Sequence, residues 1–331
     1  MKILDTVGID ISKLSFDVRI HSTQSYRQFK NTKKGFKKLI EWVYKNSSTS
    51  KDNILFVFEY TGIYSDGLSF FLSENNIPFS PIPGLAIKRS LGIVRGKDDK
   101  VDATKIALYA YRLRDEIKPY KIPTKQLIAL KRLLSLRDRI VKQRAGYKVS
   151  LKEQKQFLVV KENQVLFNSQ EKIIKCLTKQ IEAIEKQIGQ IIEEDENLKE
   201  QHSLITSIKG VGNQTAYFII AYTNAFTKFK TSRQFASYIG IAPFPNSSGT
   251  SLNGKTKVNH LANKKLKSLI DLCAKVAIQY NPELKEYYNK RIEKGKNKMS
   301  TINIIRNKLI SRIFAVIERG SPYIDTMKYA A

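Results

Sequence analysis

Apolar and polar residues alternate over residues 3–20: Ile3, Val7, Ile9 and Ile11, then Phe16, Val18 and Ile20. That period of two predicts two short strands around a turn, and Tyr26 to Lys30 reads as a third. The period then changes. KKGFKKLIEWVYKN places Phe36, Leu39, Ile40 and Val43 at helical spacing. NILFVFEY follows, a continuous apolar run ending in an acid, which suits a central strand buried on both faces. A helix over Tyr64 to Ser73, a short extended PFSPIPG and a helix starting near Asp102, through Ile106, Leu108, Tyr109 and Leu113, complete a mixed α/β domain that ends near residue 120.

Residues 124–158 read as a helix with one basic face. Further on, Ile174, Leu177, Ile181, Ile184, Ile188 and Ile191 step by three and four residues, and the next two steps reach Asp195 and Leu198. That spacing fits a coiled-coil seam between chains, and equally an amphipathic helix packed on its own domain. From residue 203 the pattern is helical with loops. SLITSIKGVGNQTAYFIIAYT gives a helix, a turn at Gly210 to Gly212 and a second helix. RQFASYIGIAPF runs from a helix into a Pro-containing turn, and NSSGTSLNGKTK reads as a polar loop. Three helices follow, over about 260–280, 283–294 and 299–319, punctuated by Pro282 and Gly295. The expected division is 1–123, 124–202 and 203–331.

Charge changes this picture from architecture towards function. The 331 residues carry 58 Lys+Arg against 30 Asp+Glu, a formal net charge of +28, which points to a polyanionic partner. Between Glu200 and Asp271 there is no acid at all, although that interval holds Lys209, Lys255, Lys257, Lys264 and Lys265 among its bases. A lysine-rich bias explains an excess of bases; it does not explain the expulsion of carboxylates. The two cysteines, Cys176 and Cys273, are too few for a disulfide framework or a thiolate zinc site, so a reducing cytoplasm is the expected compartment. No signal-peptide run and no membrane span is legible. With only three histidines and no Gly-x-Ser-x-Gly elbow, a Ser/His/Asp hydrolase has little to draw on.

Two groups of residues carry candidate chemistry. Asp10 ends the first strand and Glu59 the central one, and neighbouring strand ends can set two carboxylates side by side. Asp99 and Asp102, at spacing i, i+3 on a helix start, can face one way. Taken singly, each acid has an ordinary account as a turn cap, a helix cap or a solvated charge. As a set without a His or Cys cluster, they suit a hard, oxygen-preferring ion, Mg²⁺ before Zn²⁺. The second group is the Ser-Gly loop, in which Ser248 and Ser247 precede Gly249, with Lys255 and Lys257 close in sequence. Standing alone, such a loop is ordinary turn chemistry.

VGIDISK, FEYTG and KDDKVDA together resemble the acidic motifs of the DEDD transposases of insertion sequences, recombinases guided by a bridge RNA. ASYIGIAPFPNSSGTSLNGKTKVNHLANKKLK resembles the second half of the same family. The resemblance runs in family order to EKGKNKMSTINIIRNKLISRIFAVIERG. It implies an RNase H-like (RuvC-like) α/β N-terminal domain, a helical coiled-coil middle and a mainly α C-terminal transposase domain. Asp10, Glu59, Asp99 and Asp102 match the four acids, with Asp98 as the neighbouring alternative, and Mg²⁺ is the implied ion. Ser248 is the implied nucleophile, forming a phosphoserine link to DNA, with Ser247 the alternative. KGVG resembles a helix-hairpin-helix element, in which Lys209, Gly210 and Gly212 present backbone N–H groups to a phosphate; a plain Gly-terminated helix is the local alternative. The implied partners are donor and target double-stranded DNA, a structured non-coding RNA and further copies of the chain, a dimer pairing into a tetramer. The competing expectations are a metal-dependent junction nuclease that forms no covalent adduct, and a nucleic-acid-binding protein without chemistry.

Overall fold

β1 (Asp5–Ile11), β2 (Ser15–Ile20) and β3 (Tyr26–Lys30) form an antiparallel meander, as the alternation predicts. The computed structural model describes residues 2–90, 99–248 and 252–325. After α1 (Lys33–Asn46), capped by the Thr32 hydroxyl, β4 (Ile54–Glu59) adds parallel to β1. α2 (Ile63–Glu74) then leads to β5 (Phe79–Ile82), parallel to β4, which completes a five-stranded mixed sheet of order β3-β2-β1-β4-β5. A short helix that the periodicity did not signal, α3 (Gly84–Ser90), follows. The last helix of this unit, α4 (Asp99–Arg112), begins three residues before the expected Asp102.

The sheet is covered on both faces. Val7, Ile9 and Ile11 join Phe16, Val18, Ile20, Ile54, Phe56 and Phe58 in a core against Phe36, Leu39 and Val43 of α1 and Leu68 and Leu72 of α2. Each such side chain contributes about 1.5–3 kcal/mol on full burial, which fixes the register of the strands. On the opposite face Leu55, Val57 and Ile82 pack against Ile87 of α3 and Ile106, Tyr109 and Ala110 of α4. There β1 offers only small residues. The Thr6 hydroxyl donates to the Ala107 carbonyl at 3.0 Å, and a Cβ on Gly8 would fall 2.2 Å from the Ala107 nitrogen. The bare Gly8 lets α4 lie directly on the strand.

This first unit spans Met1–Ile122 and the second Pro123–Ala331. The second opens with two long helices, α5 (Lys125–Phe157) and α6 (Gln164–Glu193). Their cross-contacts, Arg137 with Glu185, Arg144 with Thr178 and Lys155 with Glu171, descend on one helix as they ascend on the other, so the pair is an antiparallel hairpin. Ile184, Ile188 and Ile192 share a core with Leu127, Leu130 and Leu134 of α5. Of the two readings of the heptad spacing, the chain therefore packs this stretch on itself. The spacing also breaks where the sequence continued it, because Asp195 caps a new helix, α7 (Glu196–Thr206).

α8 (Asn213–Thr223) and α9 (Ser232–Tyr238) come next, then β6 (Pro243–Ser248) and β7 (Leu252–Val258), which pair antiparallel. The segment read as a polar loop is thus a two-stranded hairpin. PFPNSS and LNGKTKV carry no alternation of apolar and polar residues, so no period of two marks the strands in the sequence. α10 (Lys264–Tyr280), α11 (Pro282–Glu293) and α12 (Lys298–Arg319) close the unit, with Asn263, Asn281 and Asn297 as N-caps. No helix among the described residues is long and apolar enough to cross a membrane, and both cysteines are free.

Candidate active-site residues

The sheet register brings two of the expected acids to one place. Ile9 lies opposite Phe58 in the β1–β4 ladder, so the next residues along the two parallel strands are Asp10 and Glu59. The core on the α1 and α2 face takes Ile9 and Phe58, and strand alternation turns Asp10 and Glu59 to the α4 face. α4 runs antiparallel to β1: Thr6 meets Ala107, and Gly8 meets both Ala107 and Ala103. One more strand pair carries the line to Asp10 and one more helical turn carries it to Asp99, since two strand residues and four helical residues both advance about 6–7 Å. The backbone of Asp99 starts the helix at that end; its side chain, and Asp98 altogether, lie outside the described residues.

Asp102 stands one position before Ala103, on the α4 flank that continues through Ile106 and Tyr109 to the β4 side of the sheet. Its carboxylate is held at 2.6 Å by Lys105, one turn on. The Glu59 carboxylate lies against Gly84 at the start of α3, where a Cβ would fall 2.0 Å from it and turn the side chain aside. Among the described residues no three His, Cys, Asp or Glu side chains gather closely enough to hold an ion. The donors are all carboxylates, and their chemistry fits a hard divalent cation.

Two further acids of the same sheet were not singled out from sequence. Asp17 is the cross-strand partner of Asp10, buried, and receives hydrogen bonds from the Tyr26 hydroxyl and the Gln28 amide. Asp5 is fully buried, and its carboxylate accepts from the Thr6 and Ser22 backbone N–H groups at 2.8 and 3.0 Å and from the Ser22 and Ser47 hydroxyls at 2.5 and 3.1 Å. The signal was available: both sit inside strands, where an unpaired charge is costly and needs hydrogen-bonding partners.

In the second unit, Ser248 is the last residue of β6 and lies opposite Leu252 across the hairpin end. Ser247 precedes it on the same strand. The side chains of Ser247, Ser248 and Lys255 are outside the described residues, and Lys257 is exposed on β7. The base of the hairpin is anchored, because Asn303 and Asn307 of α12 both donate to the Ile241 carbonyl, at 2.9 and 3.1 Å. Lys264 is exposed at the start of α10, and Lys265 is paired with Asp138 of α5. Burial opposes the charge of Asp138, but hydrogen bonds from Lys265 and Lys142 outweigh it and hold the carboxyl below its usual range.

The KGVG turn joins α7 to α8 as the helix, turn, helix reading expected. Gly210 takes a φ of +96°, and a Cβ there would meet Ala277 of α10 at 2.9 Å; Gly212 is the N-cap of α8 and is exposed. Lys209 is exposed and lies 3.6 Å from Asp325. Structurally the first glycine is a packing requirement, while the second leaves the first N–H groups of α8 without a side-chain cap.

Comparison with known proteins identifies the class of this chain as transposase. A DEDD transposase model of the IS110 type matches residues 7–157. A model described as Transposase IS116/IS110/IS902 family matches residues 202–289. The chain is 27% identical over 327 residues to the pilin gene-inverting protein of Moraxella bovis, covering 96% of this chain and 97% of that protein. The pilin gene-inverting protein of Moraxella lacunata matches to the same extent. An uncharacterized 43.6 kDa protein of insertion element IS110 from Streptomyces coelicolor is 29% identical over 158 residues, 47% of this chain and 39% of that one. The chain belongs to the IS110 family of DEDD transposases, enzymes of DNA recombination.

Proposed function

We propose that this transposase is a site-specific recombinase of its own insertion element, working through two sets of residues on its two units. The first unit has an RNase H-like role: Asp10, Glu59, Asp99 and Asp102 hold divalent metal, Mg²⁺ by preference. The observation that carries this is the β1–β4 register, which sets Asp10 beside Glu59 on the face that α4 covers. Bound metal would supply charge stabilisation at a phosphodiester. On the second unit the Ser248 Oγ attacks phosphorus. The Oγ–P bond forms, the bond from phosphorus to the sugar oxygen breaks, the serine proton is released and the departing oxygen takes one up. The phosphoserine link conserves the phosphodiester energy for rejoining, in which a sugar hydroxyl reverses the step. The position of Ser248 at the end of an anchored hairpin supports this role.

Lys209, Gly210 and Gly212 at the α7–α8 turn, with Lys255, Lys257, Lys264 and Lys265, contact nucleic-acid backbone without reading bases. Sequence choice then falls to a bridge RNA that pairs with donor and target DNA, a division of labour known from other guided systems. Two duplexes require several active sites, so the working form is a dimer that pairs into a tetramer. A recombination assay on paired donor and target plasmids, run with the RNA encoded by the element, tests the reading. Asp10→Asn and Glu59→Gln should each abolish strand exchange and leave nucleic-acid binding at the wild-type level. Wild-type exchange rates in both variants would remove the metal site.

A further inference from the structure

Lys131 of α5 reaches the loop between α8 and α9 that carries Lys228, close enough for the charge of Lys228 to act on it. The Lys131 ammonium donates to the Asn224 side-chain oxygen at 2.7 Å and lies 6.0 Å from the centre of the Tyr222 ring. The Lys228 ammonium stands 4.8 Å from the Tyr238 ring centre and 5.3 Å from that of Phe229. No carboxylate among the described residues pairs with either; the charge acting on Lys131 is that of Lys228 itself. Desolvation, and then the neighbouring cation, bring the Lys131 ammonium down to about 8. Lys228 is lowered by desolvation although it keeps surface open to water. Elsewhere in this unit half-buried bases are paired: Arg306 with Asp271, Arg312 with Glu283, Lys265 with Asp138.

The backbone that brings these groups together is strained. Asn224, Ala225 and Phe226 all have positive φ, at 50°, 49° and 62°. Asparagine tolerates this region, whereas alanine and phenylalanine do so at a cost. The run is held by hydrogen bonds from Ala225 N–H to the Ile220 carbonyl, Phe226 N–H to the Thr223 hydroxyl and Lys228 N–H to the Thr223 carbonyl. Its effect is to put the Asn224 oxygen on Lys131 and to return Lys228 towards it. A strained turn that carries Lys228 and seats Lys131, with no carboxylate among the described residues paired to either, suits an anion supplied from outside. Three aromatic rings line the cations, Tyr222, Tyr238 and Phe229, and rings beside lysines suit a nucleotide better than a free inorganic ion.

We propose that Lys131 and Lys228 form a clamp for a nucleic-acid phosphodiester, distinct from the α7–α8 turn and from the hairpin lysines. The clamp rests on the nucleic-acid reading given above, and adds to it a phosphate seat between α5 and the α8–α9 loop. Binding an anion there removes the mutual repulsion of the two ammonium groups and stabilises the protonated form of Lys131.

The test measures affinity of the full chain for a labelled DNA duplex and, separately, a labelled single-stranded RNA across a salt series. Lys131→Met and Lys228→Met should each lower the slope of log affinity on log salt on whichever nucleic acid uses the seat, by about 0.9 on the duplex or about 0.7 on the single strand, roughly eightfold or fivefold in affinity at 0.1 M salt. Lys131→Arg should restore the slope and separates lost charge from lost folding. Wild-type affinity should also fall as pH rises from about 7 to 9, because Lys131 then loses the proton that binding requires, while Lys131→Arg should hold its affinity over that range. Methionine variants with wild-type slopes on both probes, or equal pH profiles for wild type and Lys131→Arg, would overturn the clamp. Wild-type protein lacking any salt-sensitive binding would remove both the clamp and the nucleic-acid reading beneath it.

Discussion

The buried acids of the sheet unit and the partly exposed acids of the helical unit find different partners. In the sheet unit Asp5 and Asp17 are satisfied by hydroxyls, an amide and backbone N–H groups and form no ion pair among the described residues, whereas the partly exposed Asp102 is paired with Lys105. In the helical unit the corresponding acids are ion-paired: Asp138 with Lys265 and Lys142, Asp271 with Arg306 and Lys275, Glu283 with Arg312. Neutral donors satisfy a buried carboxylate's hydrogen-bonding capacity without engaging a base. Basic partners offset the charge of the partly exposed acids in the helical unit.

The largest expected effect concerns the support of the acid face. Gly8→Val would drive a side chain into the α4 backbone, and overpacking against main chain costs about 3 kcal/mol or more. Urea denaturation should show the first unit destabilised, with the helical unit unfolding at its wild-type midpoint. Equal loss in both transitions would break the comparison by showing that the two units do not fold independently.

Next in size, Ile188→Ala removes a fully buried side chain from the α5–α6 core and should cost about 3 kcal/mol. Stability should fall in the second unit whatever the protein concentration. A loss that disappears at high concentration would mean instead that the seam is shared between chains.

A smaller effect separates the two kinds of acid by pH. Despite opposing burial, hydrogen bonds from their basic neighbours hold Asp138 and Asp271 below the usual carboxylate range. Stability from these pairs is complete above the unfolded pKa near 4 and is lost as pH falls through the lower folded values. Arg306→Met should flatten the acid limb of the second unit's stability curve, by about 1 kcal/mol because the partner acid is partly exposed. An unchanged acid limb would show that Asp271 contributes nothing through its charge.

The smallest effect tests the turn between α7 and α8. Lys209→Met should reduce the salt slope of nucleic-acid binding by about 0.9, one phosphate contact, without altering stability. An unchanged slope would assign the exposed Lys209 to Asp325 alone.

How much of this was legible in the sequence depended on whether burial left a period. β1 to β5, α1, α2 and α5 could be read because each buries a regular stripe or a continuous apolar run. The hairpin β6–β7 could not, since PFPNSS and LNGKTKV carry no alternating apolar pattern, and the described part of α3 offers too few apolar positions to set a period. The seam of α6 was visible while its partner was not, because periodicity names a buried face and says nothing of what covers it. Asp10 and Glu59 were legible as strand ends, but their juxtaposition required the parallel register. Lys131 and Asn224, 93 positions apart, meet only through the fold and left no local pattern at all.

The central claim, that a serine of the helical unit does the chemistry that the acids of the sheet unit support, is tested most directly by trapping the intermediate. Wild-type protein incubated with its RNA, labelled donor and target DNA and Mg²⁺, then denatured, should yield a covalent protein–DNA adduct. That adduct should be lost in Ser248→Ala and retained in Ser247→Ala. An adduct that survives Ser248→Ala, or cleavage to hydrolysed ends with no adduct in the wild type, would contradict the account.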